Sequence, residues 1–145
     1  MTKQEAYNLM NSNPVLQLAT VEGDQPRVRG MLLYKADEEG ILFHSGTMKD
    51  VYKQIVENPK VEVSFIDQKT NTQLRVSGEL EIVDDNNLKE EIANHPTRAF
   101  LKPWIESGEL EDFYNVFVVF RLKNGVATTW TFADNFVYPK EKINL

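Results

Sequence analysis

The 145-residue chain contains no cysteine, which excludes disulfide bonds and thiolate metal sites. Its longest apolar runs fall well short of the roughly 20 residues that a membrane-spanning helix needs. The first residues, MTKQEAYNLMNSN, have no apolar centre and no small-residue cleavage pattern, so they do not look like a secretion signal. These absences predict a cytoplasmic protein with no membrane partner.

Positive charge and histidine are also scarce. The chain has 16 lysines and arginines against 22 acidic residues, and no basic stripe of the kind that nucleic acid requires. His44 and His95 are the only histidines, and two distant histidines without cysteine do not make a metal site. No Gly-x-Ser-x-Gly stretch or other nucleophile signature is present. We expect no nucleic-acid partner and no bound metal.

What remains is ordinary globular composition, with 41% hydrophobic and 26% charged residues, which predicts a single domain over residues 1–145. Helices are predicted over residues 2–12, after the HSGT stretch, and over residues 86–113, where Pro103 would interrupt the second of two helices. Gly78 would mark a bulge or a sharp bend, and Asn124–Gly125 a turn between the last two strands. The strand-like segments are NPVLQLATVEG, RVRGMLLYKA, ILFHS, KVEVSFID, QLRVSGELEIVDD, YNVFVVFRLKNG and VATTWTFAD.

Short turns between most of these strands favour antiparallel pairing. Closing such a sheet into a barrel removes its exposed edges. A parallel sheet would need strict alternation of strands and helices, which is missing. The sequence therefore predicts a mainly β fold, a six- to seven-stranded antiparallel barrel with inserted helices.

The stretch HSGTMKDVYKQI, residues 44–55, predicts the end of a strand and the start of a helix. Thr47 and Asp50 fit a capping box. Lys49 would then lie in the first helical turn, where the positive end of the helix dipole disfavours a cation. The hydroxyl-rich approach Ser45–Thr47, with Lys49 and Lys53 four residues apart, would equally suit a phosphate group. These residues leave both interpretations open.

The strand RVRGMLLYKA carries two arginines and a glycine. Arg27 and Arg29 share a strand face with apolar residues. They would either bind an anion there or lie at the barrel rim, in a salt bridge or with their stems packed on apolar surface. Gly30 weakens the middle of a strand unless something approaches the backbone closely. A flat ring is one candidate.

The run RGMLLYKADEEGILFHSGTMKDVYKQIVENPKVEVSF resembles the pyridoxamine 5′-phosphate oxidase-like family of split barrels that bind flavin mononucleotide (FMN). The resemblance extends over residues 14–82, with a weaker echo in the last two strands. It rests on an arginine-led strand, a D-x-x-G hairpin, a hydroxyl-rich strand end, and a helix that stops at Asn-Pro. It implies a split β-barrel, a homodimer with FMN at the interface, and hydride or electron transfer between flavin N5 and a small-molecule substrate.

The resemblance also implies roles for individual residues. Arg29 and basic residues at the helix start would hold the phosphate, the backbone around Gly30 would contact the ring, and Gln73 would reach the flavin. The predicted cofactor-binding residues are Arg27, Arg29, Gly30, Met31, Leu32, His44, Ser45, Thr47, Lys49, Lys53 and Gln73. No catalytic residue is predicted. The aromatic residues of NVFVVF and TWTF would either fill the barrel or cover a two-fold interface.

Two departures from the family pattern bear on function. The basic doublet at the helix start is reduced to one lysine in Lys49-Asp50-Val51, and the region that grips pyridoxamine phosphate has no counterpart. We therefore do not expect vitamin B6 oxidation. An FMN-dependent oxidoreductase, a non-enzymatic binder or carrier of FMN, deazaflavin or haem, and a cofactor-free scaffold remain as alternatives. Phe100, Lys102 and Trp104 of the 86–113 segment are expected at the mouth of the substrate pocket.

Overall fold

The computed structural model describes residues 1–110 and 112–145. Within that part of the chain, no helix is long and apolar enough to cross a bilayer. The elements in chain order are α1 (Lys3–Ser12), β1 (Val15–Glu22), β2 (Gln25–Asp37), β3 (Gly40–Gly46), α2 (Asp50–Glu57), β4 (Lys60–Asp67), β5 (Thr72–Ile82), α3 (Asn86–Ala93), a 3-10 helix (Pro96–Leu101), α4 (Lys102–Ser107), α5 (Phe113–Val116), β6 (Phe117–Trp130) and β7 (Ile143–Asn144).

The strands form one antiparallel sheet in the order β3-β2-β1-β4-β5-β6-β7, and a further pairing between β3 and β6 closes the first six into a barrel. Closure gives both edges of the six-stranded sheet a partner, so no long edge is left for another chain. The short β7 pairs with β6 outside the barrel. The predicted antiparallel split barrel with inserted helices is confirmed.

Two hydrophobic clusters hold the fold together. The barrel interior is filled by alternating residues of the strands, including Leu18, Val63 and Phe65, each with 0% of its surface exposed. Helices α1 and α2 pack onto this cluster. A second cluster lies outside the barrel, where Ile92 of α3 and Phe113 pack against outward-facing residues of β3 and β6. This second core attaches the helical segment beside the open part of the barrel.

The predicted capping box at Thr47 is wrong. Lys49 is itself the residue that precedes α2, with extended backbone angles, and its side chain makes no capping hydrogen bond. The chain before it is held in a turn, since Thr47 N–H donates to the Val116 carbonyl at 2.9 Å and Lys49 N–H to the Gly46 carbonyl at 3.1 Å. Because these backbone contacts hold residues 46–49 in a turn, α2 begins only at Asp50 and Lys49 lies before its first turn.

The predicted turn at Asn124–Gly125 is also wrong, because β6 runs through it as one strand. Ser77 pairs with Val126 and Glu79 with Lys123, so Asn124 and Gly125 face the single residue Gly78. Asn124 has φ 53, and the left-handed geometry expected for a turn instead forms a bulge. A bulge therefore forms at the level of Gly78, but its extra residue is on β6, opposite Gly78, and not on β5.

The prediction that Pro103 interrupts a helix is wrong. Pro103 is in the first turn of α4, where a missing N–H leaves no hydrogen bond unmade. The interruption comes five residues earlier, at Arg98, whose φ of −116 is not helical. Helix α4 then ends at Gly108, in the left-handed conformation.

Candidate ligand-binding cleft

The cleft forms where strands β2 and β3 stop pairing with each other, about halfway along their length. Strand β2 pairs with β1 through Leu32 but with β3 only from Leu33 onward, where a register shift separates Leu33 from Lys35. Residues 44–46 of β3 pair with β6 instead. The two strands therefore expose backbone edges to each other across a gap. A cleft of about 490 Å³ occupies that gap, a volume in the range of small-molecule and cofactor sites.

Three parts of the chain line this cleft. Strand β2 contributes Gly30, Met31 and Leu32, the end of β3 contributes His44 through Gly46, and the turn before α2 contributes Met48 and Lys49. The third wall comes from the helical segment and the start of β6, and it includes Phe100, Leu101, Trp104, Leu110, Phe113, Val116 and Phe117. Phe100 and Trp104 remain 48% and 44% exposed, so these rings stand at the mouth. Phe100 and Trp104 therefore line the cleft, whereas Lys102 is not part of its wall, and their placement at a substrate pocket stays a prediction.

Ser45 carries a buried hydroxyl that lacks a partner. The residue is 8% exposed, and its Oγ makes no hydrogen bond within the described ranges. A buried hydroxyl left unpaired costs about 1–3 kcal/mol, so native structures rarely contain one without a reason. A polar ligand atom in the cleft would satisfy it.

Gly30 borders open space. A Cβ built on Gly30 would meet only the Gln17 amide nitrogen, at 3.8 Å. Packing within the chain therefore does not require glycine at this position. The glycine keeps the backbone of β2 accessible from the cleft, as close approach of a ligand demands.

His44 is half-buried in the wall and is held by an arginine. Arg98 Nε donates to His44 Nε2 at 2.8 Å, and the ring of Phe117 lies 5.0 Å from the imidazole centroid. Burial, together with the positive charges of Arg98 and Lys49, lowers the pKa of His44 to about 4. His44 is therefore neutral at physiological pH.

Arg98 was not among the residues singled out by the sequence. It is 2% exposed, and its Nη2 donates to the Leu33 carbonyl at 2.6 Å, at the point where β2 and β3 diverge. An arginine in a helical, polar stretch gives no local sign of burial. Only the packing of the helical segment on β3 and β6 brings this side chain beneath the cleft.

Arg29 does not line the cleft. Its Nη1 donates to the Leu18 carbonyl at 3.1 Å and to Thr20 Oγ1 at 2.8 Å, and its Nη2 donates to Gln54 Oε1 at 2.5 Å. Burial lowers the pKa of Arg29 from its ordinary value, with a smaller contribution from Arg27. All three acceptors are neutral, so the guanidinium has no anionic partner among the contacts of the described residues.

Four other predicted residues also lie away from the wall. Arg27 pairs with Glu22 at 3.1 Å on the exposed rim, as the salt-bridge interpretation anticipated. Lys53 is exposed on α2, and Thr47 is half-buried in the turn before it. Gln73 lies on β5 and donates to Ser64 Oγ at 3.1 Å, with β1 and β4 between it and β2. The chain thus gathers six of the eleven predicted residues at the cleft: Gly30, Met31, Leu32, His44, Ser45 and Lys49.

The charge of the cleft is one-sided. Lys49 is the charged side chain of the wall, and no carboxylate lines it within residues 1–110 and 112–145. The rest of the lining is apolar or aromatic apart from His44 and Ser45. Such a site suits a flat, largely apolar ligand that carries negative charge at one end.

This fold and cleft define a split-barrel protein with a binding site of cofactor size. The family model described as pyridoxamine 5′-phosphate oxidase matches residues 2–121, and the chain belongs to that family. The family resemblance of the sequence is thereby confirmed.

Known relatives agree with this assignment. The pyridoxine/pyridoxamine 5′-phosphate oxidase of Psychrobacter cryohalolentis is 30% identical over 99 residues, which are 66% of this chain and 46% of that protein. A NimC/NimA family protein of Clostridium acetobutylicum superposes with TM-score 0.72 at 26% identity, covering 98% of this chain and 91% of its own. An FMN-binding, oxidase-related protein of Nostoc punctiforme superposes with TM-score 0.66 at 17% identity, covering 97% and 88%.

The curated relatives are longer proteins. The chain spans about half the length of those it matches, 46% in the Psychrobacter case. Their oxidase activity is therefore not carried over with the family. The likeness to the Nostoc protein, at 17% identity, concerns the fold.

Proposed function

We propose that this protein binds a flavin, FMN, in the cleft and acts as an oxidoreductase on a small molecule. The observation that carries the proposal is the buried hydroxyl of Ser45, which has no hydrogen-bond partner among the described residues and shares with Lys49 a cleft of about 490 Å³. Apart from these two residues and His44, the described lining is apolar or aromatic. An apolar ring system with an anionic phosphate tail matches both properties of that wall. Family membership and the flavin-binding neighbour support the same reading.

Different residues of the cleft would contact different parts of the flavin. Lys49 and Ser45 would hold the phosphate with a charge-assisted and a neutral hydrogen bond. The accessible backbone at Gly30–Leu32 would lie along the ring edge, and Phe100 and Trp104 would cover the mouth and exclude water. When bound, the flavin would supply hydride or electron transfer at N5, and the protein supplies binding and orientation. Arg29 would contribute to phosphate binding only by releasing its present acceptors.

A homodimer is part of the proposal. The outer face of β1, β2 and β4 exposes Val15 (65%), Val28 (68%) and Ile66 (53%), and Ile66 pairs directly with Gln73 of β5. An isologous two-fold contact on this face would hide these apolar residues. It would also explain how Gln73, which is not near the cleft of its own chain, could contact a flavin bound in the cleft of the partner subunit.

A flavin carrier without enzymatic activity is the second candidate. It is favoured by the scarcity of proton-transfer groups in the wall, since a pKa of about 4 makes the His44 imidazole only a weak base and no described lining residue is a carboxylate. Hydride transfer needs no protein base, so this observation does not decide against the oxidoreductase.

One purification tests flavin binding. We expect flavin absorbance that survives gel filtration, and a released cofactor whose mass is that of FMN. Deazaflavin or haem would be recognised at the same step, and protein that stays colourless after incubation with FMN would overturn the proposal. Reduction of the bound flavin by NADH or NADPH, followed by reoxidation with candidate acceptors, separates the enzyme from the carrier.

A further inference from the structure

Arg98 is a charged group in an unusual setting. It is 2% exposed, yet its hydrogen bonds in the described residues all go to neutral acceptors: His44 Nε2 at 2.8 Å, the Leu33 carbonyl at 2.6 Å, and the Thr97 carbonyl and hydroxyl at 3.3 and 3.2 Å. The rings of Tyr34 and Phe100 lie 5.5 and 5.9 Å from its guanidinium carbon. Burying a charge without a counter-ion is costly, so the position demands a reason.

The backbone is shaped to place this side chain. Arg98 interrupts the 3-10 helix with φ −116 and ψ 20, and its own N–H bonds to the His95 carbonyl at 2.8 Å. This kink lies between Pro96 and the start of α4. The turn therefore aims one arginine inward, under the imidazole of His44.

The contact determines where His44 carries its proton. A guanidinium has only donors, so the imidazole nitrogen that faces it must be the acceptor. A neutral imidazole has one acceptor and one N–H, and if Nε2 accepts, the proton is on Nδ1. His44 Nδ1 makes no hydrogen bond with the rest of the described chain, and the residue lines the cleft. A donor is thus left for whatever binds there.

We propose that Arg98 is a positioning residue, which holds His44 as a neutral imidazole protonated on Nδ1, and that this N–H donates to an oxygen acceptor of the cleft's ligand. The positive charge behind the ring polarises the N–H and so strengthens the donor without giving the imidazole a net charge. His44 is then a fixed hydrogen-bond donor and not a general acid or base. The donation to ligand rests on the proposed function, whereas the tautomer does not.

The surroundings of His44 favour the neutral state from every side. Arg98 approaches from the 3-10 helix and Lys49 from the turn before α2, and both disfavour a positive imidazole. The two aromatic rings that pair with the imidazole, those of Phe100 and Phe117, carry no charge. The carboxylate of Glu91 accepts a hydrogen bond from the Tyr34 hydroxyl at 3.0 Å, and the Tyr34 ring lies 5.5 Å from the guanidinium carbon of Arg98.

Nitrogen-detected NMR of the imidazoles tests the tautomer in protein without added flavin. The chain has only two histidines, so a His95→Gln variant assigns the signals. We expect wild-type His44 to show a protonated Nδ1 and an unprotonated Nε2 from pH 8 down to about pH 5. A proton on Nε2, or protonation of His44 above about pH 6, would overturn the proposal.

Substitution of Arg98 tests its role. In Arg98→Met, which keeps the apolar stem, the pKa of His44 should rise by up to about 1 unit, because burial is the larger cause of its lowering, and the proton should redistribute toward Nε2. Arg98→Lys keeps a charge and a donor and should restore the Nδ1 tautomer. Arg75→Met removes an exposed arginine on the barrel surface and should change neither. If Arg98→Met does not fold, the wild-type spectra still decide the question.

Ligand addition tests the donation separately. Saturating FMN should shift the His44 Nδ1–H signal, and riboflavin distinguishes a ring carbonyl from a phosphate oxygen as the acceptor, because only the former is present in both. Bound flavin with unchanged His44 signals would refute the donation. Failure of any flavin to bind would refute the proposed function and leave the tautomer result standing.

Discussion

Arg29 of β2 donates to the side-chain carbonyl of Gln54 in α2 at 2.5 Å, and the same oxygen also accepts the hydroxyl of Thr20 in β1 at 2.6 Å. Gln54 and Thr20 are 4% and 2% exposed. The Arg29 side chain therefore links strands β1 and β2 to helix α2. Because its partners are buried, this contact bears on stability as well as on any ligand.

Loss of Arg29 should destabilise the fold. Arg29→Met leaves Thr20 and Gln54 with fewer partners, and we expect the free energy of unfolding in urea to fall by about 1–3 kcal/mol. Arg27→Met, which breaks an exposed pair with Glu22, is the matched control and should have little effect. Equal stability of the two variants would contradict this reading. If Arg29 also holds the phosphate, the affinity for FMN should fall by about 1.5–3 kcal/mol.

Lys49 should matter for the phosphate and not for the fold. Lys49→Ala removes the cation of the cleft wall and should weaken FMN binding by about 1.5–3 kcal/mol, with a smaller effect on riboflavin, which lacks the phosphate. Lys69→Ala changes the same charge in the β4–β5 turn and serves as control. Calorimetric titration of both ligands measures the difference. Equal losses for FMN and riboflavin would place the phosphate away from Lys49.

Substitution by alanine should lower stability at one glycine, Gly40, and leave it nearly unchanged at another, Gly30. At Gly40, φ is +124 and a Cβ would lie 2.8 Å from the Leu122 carbonyl oxygen, so Gly40→Ala should cost about 1–3 kcal/mol of stability. At Gly30 the nearest atom is 3.8 Å away, so Gly30→Ala should change stability by less than about 0.5 kcal/mol. Thermal unfolding measures both. Weaker flavin binding in the Gly30 variant alone would show that the space beside β2 belongs to the ligand.

Stability should depend on pH through His44. Its pKa is lowered from 6.5 to about 4 on folding, so the unfolded chain takes up a proton first as the pH falls. Above about pH 6.5, His44 makes its full contribution to the free energy of unfolding. This contribution is lost as the pH falls through about 4, which lowers the free energy of unfolding by up to about 3 kcal/mol. His44→Gln should lack this component, so the difference between the two stability curves isolates it. Parallel curves between pH 7 and pH 4 would be the contrary result.

Substitution of the outward-facing residue Ile66 should disrupt the proposed dimer. Ile66→Lys places a charge at a position that is 53% exposed in the single chain, so the monomer should remain folded. If the face of β1 and β4 is the interface, light scattering should show a monomer, and flavin binding should weaken. Arg75→Lys on the neighbouring strand is a charge-neutral control. An Ile66→Lys protein that stays dimeric would move the interface elsewhere.

Local patterns were enough to place most of the barrel. Alternation in KVEVSFID, the hairpin glycine at Gly40 and the Asn-Pro stop after α2 are short-range features, and each works through the geometry of a few adjacent residues. The same holds for the wall residues Gly30, His44 and Lys49, which follow one another along β2, β3 and the turn before α2. Their proximity begins with two strands that are neighbours in the chain, and the pairing of residues 44–46 with β6 then holds His44 in place.

Tertiary structure decided the rest. Whether Asn124–Gly125 is a turn or a bulge depends on the pairing of both flanks with β5, because a left-handed residue serves either geometry. Whether Arg29 faces the cleft or Gln54 depends on how α2 packs on β1. Arg98 becomes a buried partner of His44, 54 positions away, only when the helical segment docks on the barrel. Sequence determines local backbone preference, whereas the neighbours of a long polar side chain are set by packing between elements that are far apart in the chain.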